Sequence, residues 1–96
     1  MESRVKDALR RIVHPEINRT LFELGMIKDI NAGDKKVSLI LKVPMLDIPI
    51  KDYLIDIIKS EIKKTDSNVK SEVEIEEMSL EERAKFMEMA QEAWRS

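Results

Sequence analysis

Apolar residues recur with helical spacing near both ends and in the middle of the chain, and with two-residue spacing in between. Val5, Ala8, Leu9, Ile12 and Val13 follow i, i+3, i+4, i+7, i+8, with Lys6, Asp7, Arg10 and Arg11 among them. This spacing predicts a short amphipathic helix. Ser3 is a candidate cap, and Pro15 steers His14 out of the α region, so the helix is expected to end by Val13 or His14. Glu16 to Gly25 has no clear period, yet Ile17, Leu21, Phe22 and Leu24 are too apolar for a free loop. The stretch reads as an ordered connection packed on the core and closed by Gly25.

Met26 to Asn31 is a plausible first strand, Ala32-Gly33-Asp34-Lys35 a turn, and Lys36 to Val43 a second strand. Together they predict a hairpin. Val37, Leu39, Leu41 and Val43 share one face of the second strand, while Lys36, Ser38 and Lys42 share the other with Ile40 as the exception. From Pro49 onward Ile50, Tyr53, Leu54, Ile57, Ile58 and Ile62 return to helical spacing, with Pro49 in the first turn and Asp47 as the natural N-cap. Thr65-Asp66-Ser67-Asn68 ends this helix. Val69 to Glu77 alternates again, with Val69, Val73 and Ile75 opposite Glu72, Glu74 and Glu76, so it is the third strand. A strand-helix-strand connection of this length is a crossover, which makes the third strand parallel to the second. Ser79-Leu80-Glu81-Glu82 is a capping box, followed by Phe86, Met89, Ala90, Ala93 and Trp94 on one face of a last helix, residues 79–95.

The 96 residues are read as a single domain with one core. A net charge of -2 gives no bulk attraction to nucleic acid or anionic lipid. The chain has no cysteine, which removes disulfides, thiolate nucleophiles and any cluster or zinc site held by its own thiolates. No apolar run approaches the roughly 20 residues of a bilayer span, and Met1-Glu2-Ser3-Arg4 leads into no secretory core segment, so the expected address is cytoplasmic. The richness in Ile, Lys and Glu with sparse Gly fits a heat-adapted protein.

Candidate chemistry is thin. His14 is the only histidine and has no second His or Cys ligand, so a structural role beside Pro15 is the better reading than a metal site. Glu72, Glu74 and Glu76 fall on one strand face about 7 Å apart, where pairing with Lys36 and Lys42 explains them better than a bound cation does. Asp52 and Asp56 face solvent with nothing apolar to tune them for acid-base work. No catalytic residue, resident cofactor or metal is assigned, and no enzyme activity is expected. With two glycines there is no phosphate-cradling loop and no Gly-X-X-Gly. The oddity is Pro44-Met45-Leu46-Asp47-Ile48-Pro49: apolar residues stand where a loop meets a helix N-terminus, either buried or forming an exposed patch.

The order helix, hairpin, helix, strand, carrying His14-Pro15-Glu16, Leu24-Gly25-Met26-Ile27-Lys28-Asp29-Ile30 and Asp47-Ile48-Pro49-Ile50-Lys51-Asp52, resembles the iron-sulfur cluster assembly accessory family over about Val5 to Glu77. That family occurs alone or fused to Mrp-type P-loop ATPases and includes cytosolic iron-sulfur targeting adaptors and the phenylacetate-oxygenase maturation protein. Its first motif usually reads Asp-Pro-Glu; here His14 replaces the Asp. Its loop usually holds threonines followed by Cys-Pro; here Pro44 and Met45 stand near the threonines, and Ile48 stands in place of the Cys before Pro49. The resemblance implies an α/β (α+β) fold, a two-layer α-β-β-α-β domain with a mixed three-stranded sheet and helices on one face, plus a C-terminal helix. It further implies a non-catalytic adaptor that binds assembly or client proteins, an Mrp-type ATPase among them, as a monomer or homodimer. The partner-binding residues it points to are His14, Pro15, Glu16, Gly25, Pro44, Met45, Leu46, Asp47, Ile48 and Pro49. Two other readings stay open: a KH-like nucleic-acid module, and a domain that self-associates through its last helix.

Overall fold

The computed structural model describes residues 2–33 and 35–94, apart from the side chains of Glu2 and Ser3. In chain order these residues form α1 (Glu2–Arg10), β1 (Ile27–Ala32), β2 (Lys36–Val43), α2 (Lys51–Thr65), β3 (Lys70–Glu77) and α3 (Leu80–Ala93). The sheet has the order β1-β2-β3, antiparallel between β1 and β2 and parallel between β2 and β3. The mixed sheet and the crossover are as the alternation and connection length predict.

β2 is the central strand, and Val37, Leu39, Leu41 and Val43 are buried on its inner face. Against them pack Val5, Leu9 and Ile12 from the first segment and Leu54, Ile58 and Ile62 from α2, all in one core. The buried stripe of α2 therefore runs i, i+4, i+8. Tyr53 lies one residue, or about 100°, off that stripe and is exposed rather than on the apolar face, while Ile50, Ile55 and Ile57 flank the stripe half-buried.

The first helix is shorter than its apolar period. Arg11 and Ile12 donate to Ala8 and Leu9, a tightened i to i-3 pattern, and the chain then extends, with Leu21 N–H donating to Ile12 C=O and His14 N–H to Arg19 C=O. Val13 sits in a bridge to Thr20 and is exposed. Pro15 forbids helix at His14, and pairing with residues 19–21 takes the backbone groups that another turn would have used. Ser3 lies within α1 and not ahead of it; its capping role falls outside the described side chains, as does Asp34 in the hairpin turn.

The connection from 16 to 25 is ordered, with Ile17, Leu21 and Leu24 in the core. Thr20 and Glu23 cap one another: Glu23 Oε1 accepts from Thr20 N–H at 2.9 Å and Thr20 Oγ1 accepts from Glu23 N–H at 3.0 Å. Phe22 is the exception, exposed with the Arg10 guanidinium 5.2 Å over its ring. β1 starts one residue later than its apolar pattern suggests and carries a register shift between Lys28 and Asn31, where Asp29 takes a positive φ of 52°.

The backbone of α3 keeps further from the other strands and helices than theirs do from one another among the described residues. It follows β3 past the end of the sheet and docks on the connection, burying Phe86, Ala90 and Ala93. Asn18 N–H donates to Ala93 C=O at 2.7 Å, and Ile17 bridges Trp94. Trp94 is the C-cap and 56% exposed, so it lies off the apolar face assigned to it from spacing.

Candidate functional site

The segment between Val43 and Lys51 is a loop leading from a fully buried strand end to the start of α2. Pro44 is half-buried, Asp47 and Pro49 are exposed, and Ile48 and Ile50 rest against the core. Met45 and Leu46 point outward at 52% and 51% exposure, so the apolar residues of the loop divide between anchors and an open patch. Lys51 Nζ donates to Leu46 C=O at 3.1 Å, fixing the crest of the loop to the helix start.

Asp47 is not the cap of α2. The helix begins at Lys51, two residues beyond Pro49; Ile50 occupies the N-cap with φ -90° and ψ 6°, and no side chain caps the first turn. Lys51 N–H donates to Ile48 C=O at 3.3 Å, so a turn over 48–51 precedes the helix and holds Asp47 too far back to reach its free N–H groups. Asp52 in the first turn complements the dipole instead.

His14 is 3% exposed, and its Nδ1 accepts from Glu16 N–H at 3.0 Å. This is the bond that an Asp side chain makes to the backbone two residues on, so the imidazole performs locally what a carboxylate would in the same turn. Pro15 is half-buried and Glu16 exposed. Gly25 has a φ of +74°, with open space around the position of a Cβ, so its conformation and not crowding favours glycine there. Its neighbour Met26 is buried and accepts from Lys42 N–H at 2.7 Å, which brings Gly25 to the root of the 44–50 loop. The Pro15-Glu16 turn, by contrast, is followed directly by Ile17 and Asn18, which are held by α3.

Among the described residues no group of three or more His, Cys, Asp or Glu is placed to hold a metal ion, and no helix is long and apolar enough to cross a membrane. A cleft of about 270 Å³ lies at the far end of the sheet, lined by Arg4, Ala32, Gly33, Thr65, Asp66 and Val69. No residue of the 44–50 loop lines it. The glutamates of β3 meet their lysines across the ladder: Lys36 Nζ is 2.6 Å from Glu72 and Lys42 Nζ 2.8 Å from Glu76, while Glu74 stands opposite Ile40.

One polar centre is not evident from residue spacing. Glu82, the fourth residue of the capping box, accepts from Ser79 N–H at 2.9 Å, from Lys28 Nζ at 2.7 Å and from Lys42 Nζ at 3.3 Å. The Lys28 ammonium and then the Ser79 N–H hold its carboxyl down at about 2. Lys42, gripped by Glu76 and Glu82, is raised above the ordinary lysine value. The capping box marks Glu82 in the sequence, but its tertiary role needs the ends of β1 and β2 side by side.

The fold has a solved counterpart. A crystal structure of a domain of unknown function, DUF59, from Bacillus anthracis superposes with a TM-score of 0.71 over 93% of this chain and 91% of that one, at 17% sequence identity. At that identity the likeness concerns the fold alone. No curated protein matches the chain significantly. A family model described as iron-sulfur cluster assembly protein matches residues 2–75, from α1 through most of β3. By that match the chain belongs to the iron-sulfur cluster assembly protein family.

Proposed function

We propose that this protein is a non-catalytic accessory of iron-sulfur cluster assembly or metalloprotein maturation, an adaptor that holds carrier or client proteins and not the cluster itself. Its contact surface is the 44–49 loop, with Gly25 shaping the loop's root and the His14-Pro15-Glu16 turn as a second element. The observation that carries the reading is the pair Met45 and Leu46, half exposed on a loop pinned by Ile48, Ile50 and Lys51 at an uncapped helix start. A rigid loop loses little conformational freedom on binding, and exposed apolar tips desolvate favourably against a partner. With Ile48 where the family resemblance places Cys, and no cysteine in the chain, the loop offers surface complementarity where a thiolate would offer sulfur. Carrier and client proteins of the assembly machinery, including an Mrp-type ATPase, are the partners expected, in the cytoplasm, for a monomer or homodimer. The glutamate row on the open sheet face speaks against a nucleic-acid partner.

The test is affinity capture from native extract with the wild type and with Met45→Ser plus Leu46→Ser. Both positions are exposed, so thermal melts are expected to coincide while iron-sulfur partners drop out of the captured set. Unchanged capture by a folded double variant overturns the loop as contact surface. Anaerobic reconstitution of the purified protein alone is expected to give no chromophoric cluster.

A further inference from the structure

β3 is an outer strand, paired with β2 along one side. In a parallel ladder alternate residues turn both backbone groups to the same neighbour. Lys70 and Met78 give their N–H groups to Lys35 and Val43, so the even-numbered residues of the strand serve β2. Ser71, Val73, Ile75 and Glu77 therefore direct their N–H and C=O groups to the open side, where no strand pairs with them among the described residues. The edge is eight residues long, contains neither Gly nor Pro, and keeps continuous register with β2. Open edges of this kind are normally blunted, and the device here is charge of a single sign, Glu72, Glu74 and Glu76 on the outer face.

That sign selects among occupants. A second copy of β3 set antiparallel about a two-fold axis would place glutamate positions opposite glutamate positions on one face, an arrangement that destabilises a sheet. Lys36 and Lys42 occupy Glu72 and Glu76 from the β2 side, but Glu74, facing Ile40, has no lysine across the ladder. On the inner face Val73 and Ile75 are half-buried at the rim of the core. Beside them a groove of about 330 Å³ separates β3 from α2, lined by the apolar Ile62 and Val69 and by the charged Lys59, Lys63, Lys70 and Glu72. An added strand with apolar residues on that face would lie against Val73 and Ile75 and leave the charged groove beside them open to solvent.

We propose that the open edge of β3 accepts, by strand addition, an extended segment of another protein whose residues alternate basic and apolar: Lys or Arg over Glu72, Glu74 and Glu76, and apolar side chains beside Val73 and Ile75. This surface is distinct from the 44–50 loop, so either assignment can fail without the other.

The probe is a capped peptide of alternating Lys and Val, titrated into the full chain and followed by amide hydrogen exchange. The amides of Ser71, Val73, Ile75 and Glu77 are expected to slow by about tenfold or more, while those of Glu72, Glu74 and Glu76, already bonded to β2, change little. Methylating alternate peptide nitrogens is expected to abolish the effect. Glu74→Lys, at an exposed position, is expected to weaken the Lys-Val peptide by about two- to fivefold and to strengthen a Glu-Val peptide correspondingly. Shifts confined to the glutamates with no slowing at the odd-numbered amides, equal binding of the methylated peptide, or a preference unchanged by Glu74→Lys each overturn the proposal. So does sedimentation showing that the protein alone dimerises through this edge.

Discussion

Replacing Phe86 with Ala tests whether α3 belongs to the core. Phe86 is 7% exposed and shares its buried stripe with Ala90 and Ala93. That stripe belongs to the same core as Ile17, Leu21 and Leu24 of the connection, to which the end of α3 is hydrogen-bonded. Truncating a buried Phe costs about 3–5 kcal/mol, the upper part when the site cannot collapse. Total stability for a domain of this size is roughly 5–15 kcal/mol, and each kcal/mol shifts Tm by about 4–8 °C. A fall in Tm of roughly 12–40 °C is therefore expected. Trp94 is the only tryptophan and bridges Ile17 at the end of α3, so its emission reports docking of that helix while far-UV dichroism reports the whole fold. In urea both signals are expected to move together to lower denaturant with unchanged slope. Met87→Ala on the exposed side of the helix is the control, expected within about 0.5 kcal/mol of wild type. A loss below about 1 kcal/mol for Phe86→Ala, or a Trp94 transition that moves while the dichroism stays, would show α3 to be an appendage and refute the reasoning.

Three further expectations follow from the same geometry. Because the Glu82 carboxyl is lowered to about 2 from 4.5, its contribution is fully present above about pH 4.5 and is lost as pH falls toward 2; urea midpoints are expected to fall over this window more steeply for wild type than for Glu82→Gln, and identical acid profiles would contradict the assignment. His14→Ala removes the acceptor for Glu16 N–H along with a buried ring, for a loss of about 2 kcal/mol. His14→Asp keeps the acceptor and is expected to recover part of that loss, with the Glu16 amide again slow to exchange. Gly25→Ala meets no steric obstacle but must adopt φ +74°, at a cost of about 1–2 kcal/mol by urea titration, with Gly25→Asn milder.

What can be read from the sequence is what repeats. β2 has the same bounds in both readings because Val37, Leu39, Leu41 and Val43 alternate without interruption between clear turn signals. The parallel sense of β3 follows from connection length, and the Lys36–Glu72 and Lys42–Glu76 pairs follow once the strands lie side by side. The apolar spacing of Val13 and Tyr53 misleads, since periodicity registers a tendency while pairing partners decide where a helix ends and which stripe it buries. Val13 loses its helix to the bridge with Thr20; Tyr53 is outcompeted by Leu54, Ile58 and Ile62. The cap assigned to Asp47 fails for a related reason, as the 48–51 turn delays the helix beyond what Pro49 alone suggests. The split of the loop into anchored Ile48 and exposed Met45 and Leu46 is invisible in a run of similar apolar residues, because it depends on which of them face the core.

The junction at Glu82 has a bearing on the order in which the chain folds. A helical first turn is costly to nucleate, and the carboxylate that helps close it at Ser79 is the same one bound by Lys28 and Lys42. Those two ammonium groups converge only after the hairpin has zipped and its register is set. Completed strand pairing thus adds two charge-assisted bonds to a helix start that Ser79 and Glu82 already close locally, so that the last segment acts as a clasp across the ends of β1 and β2.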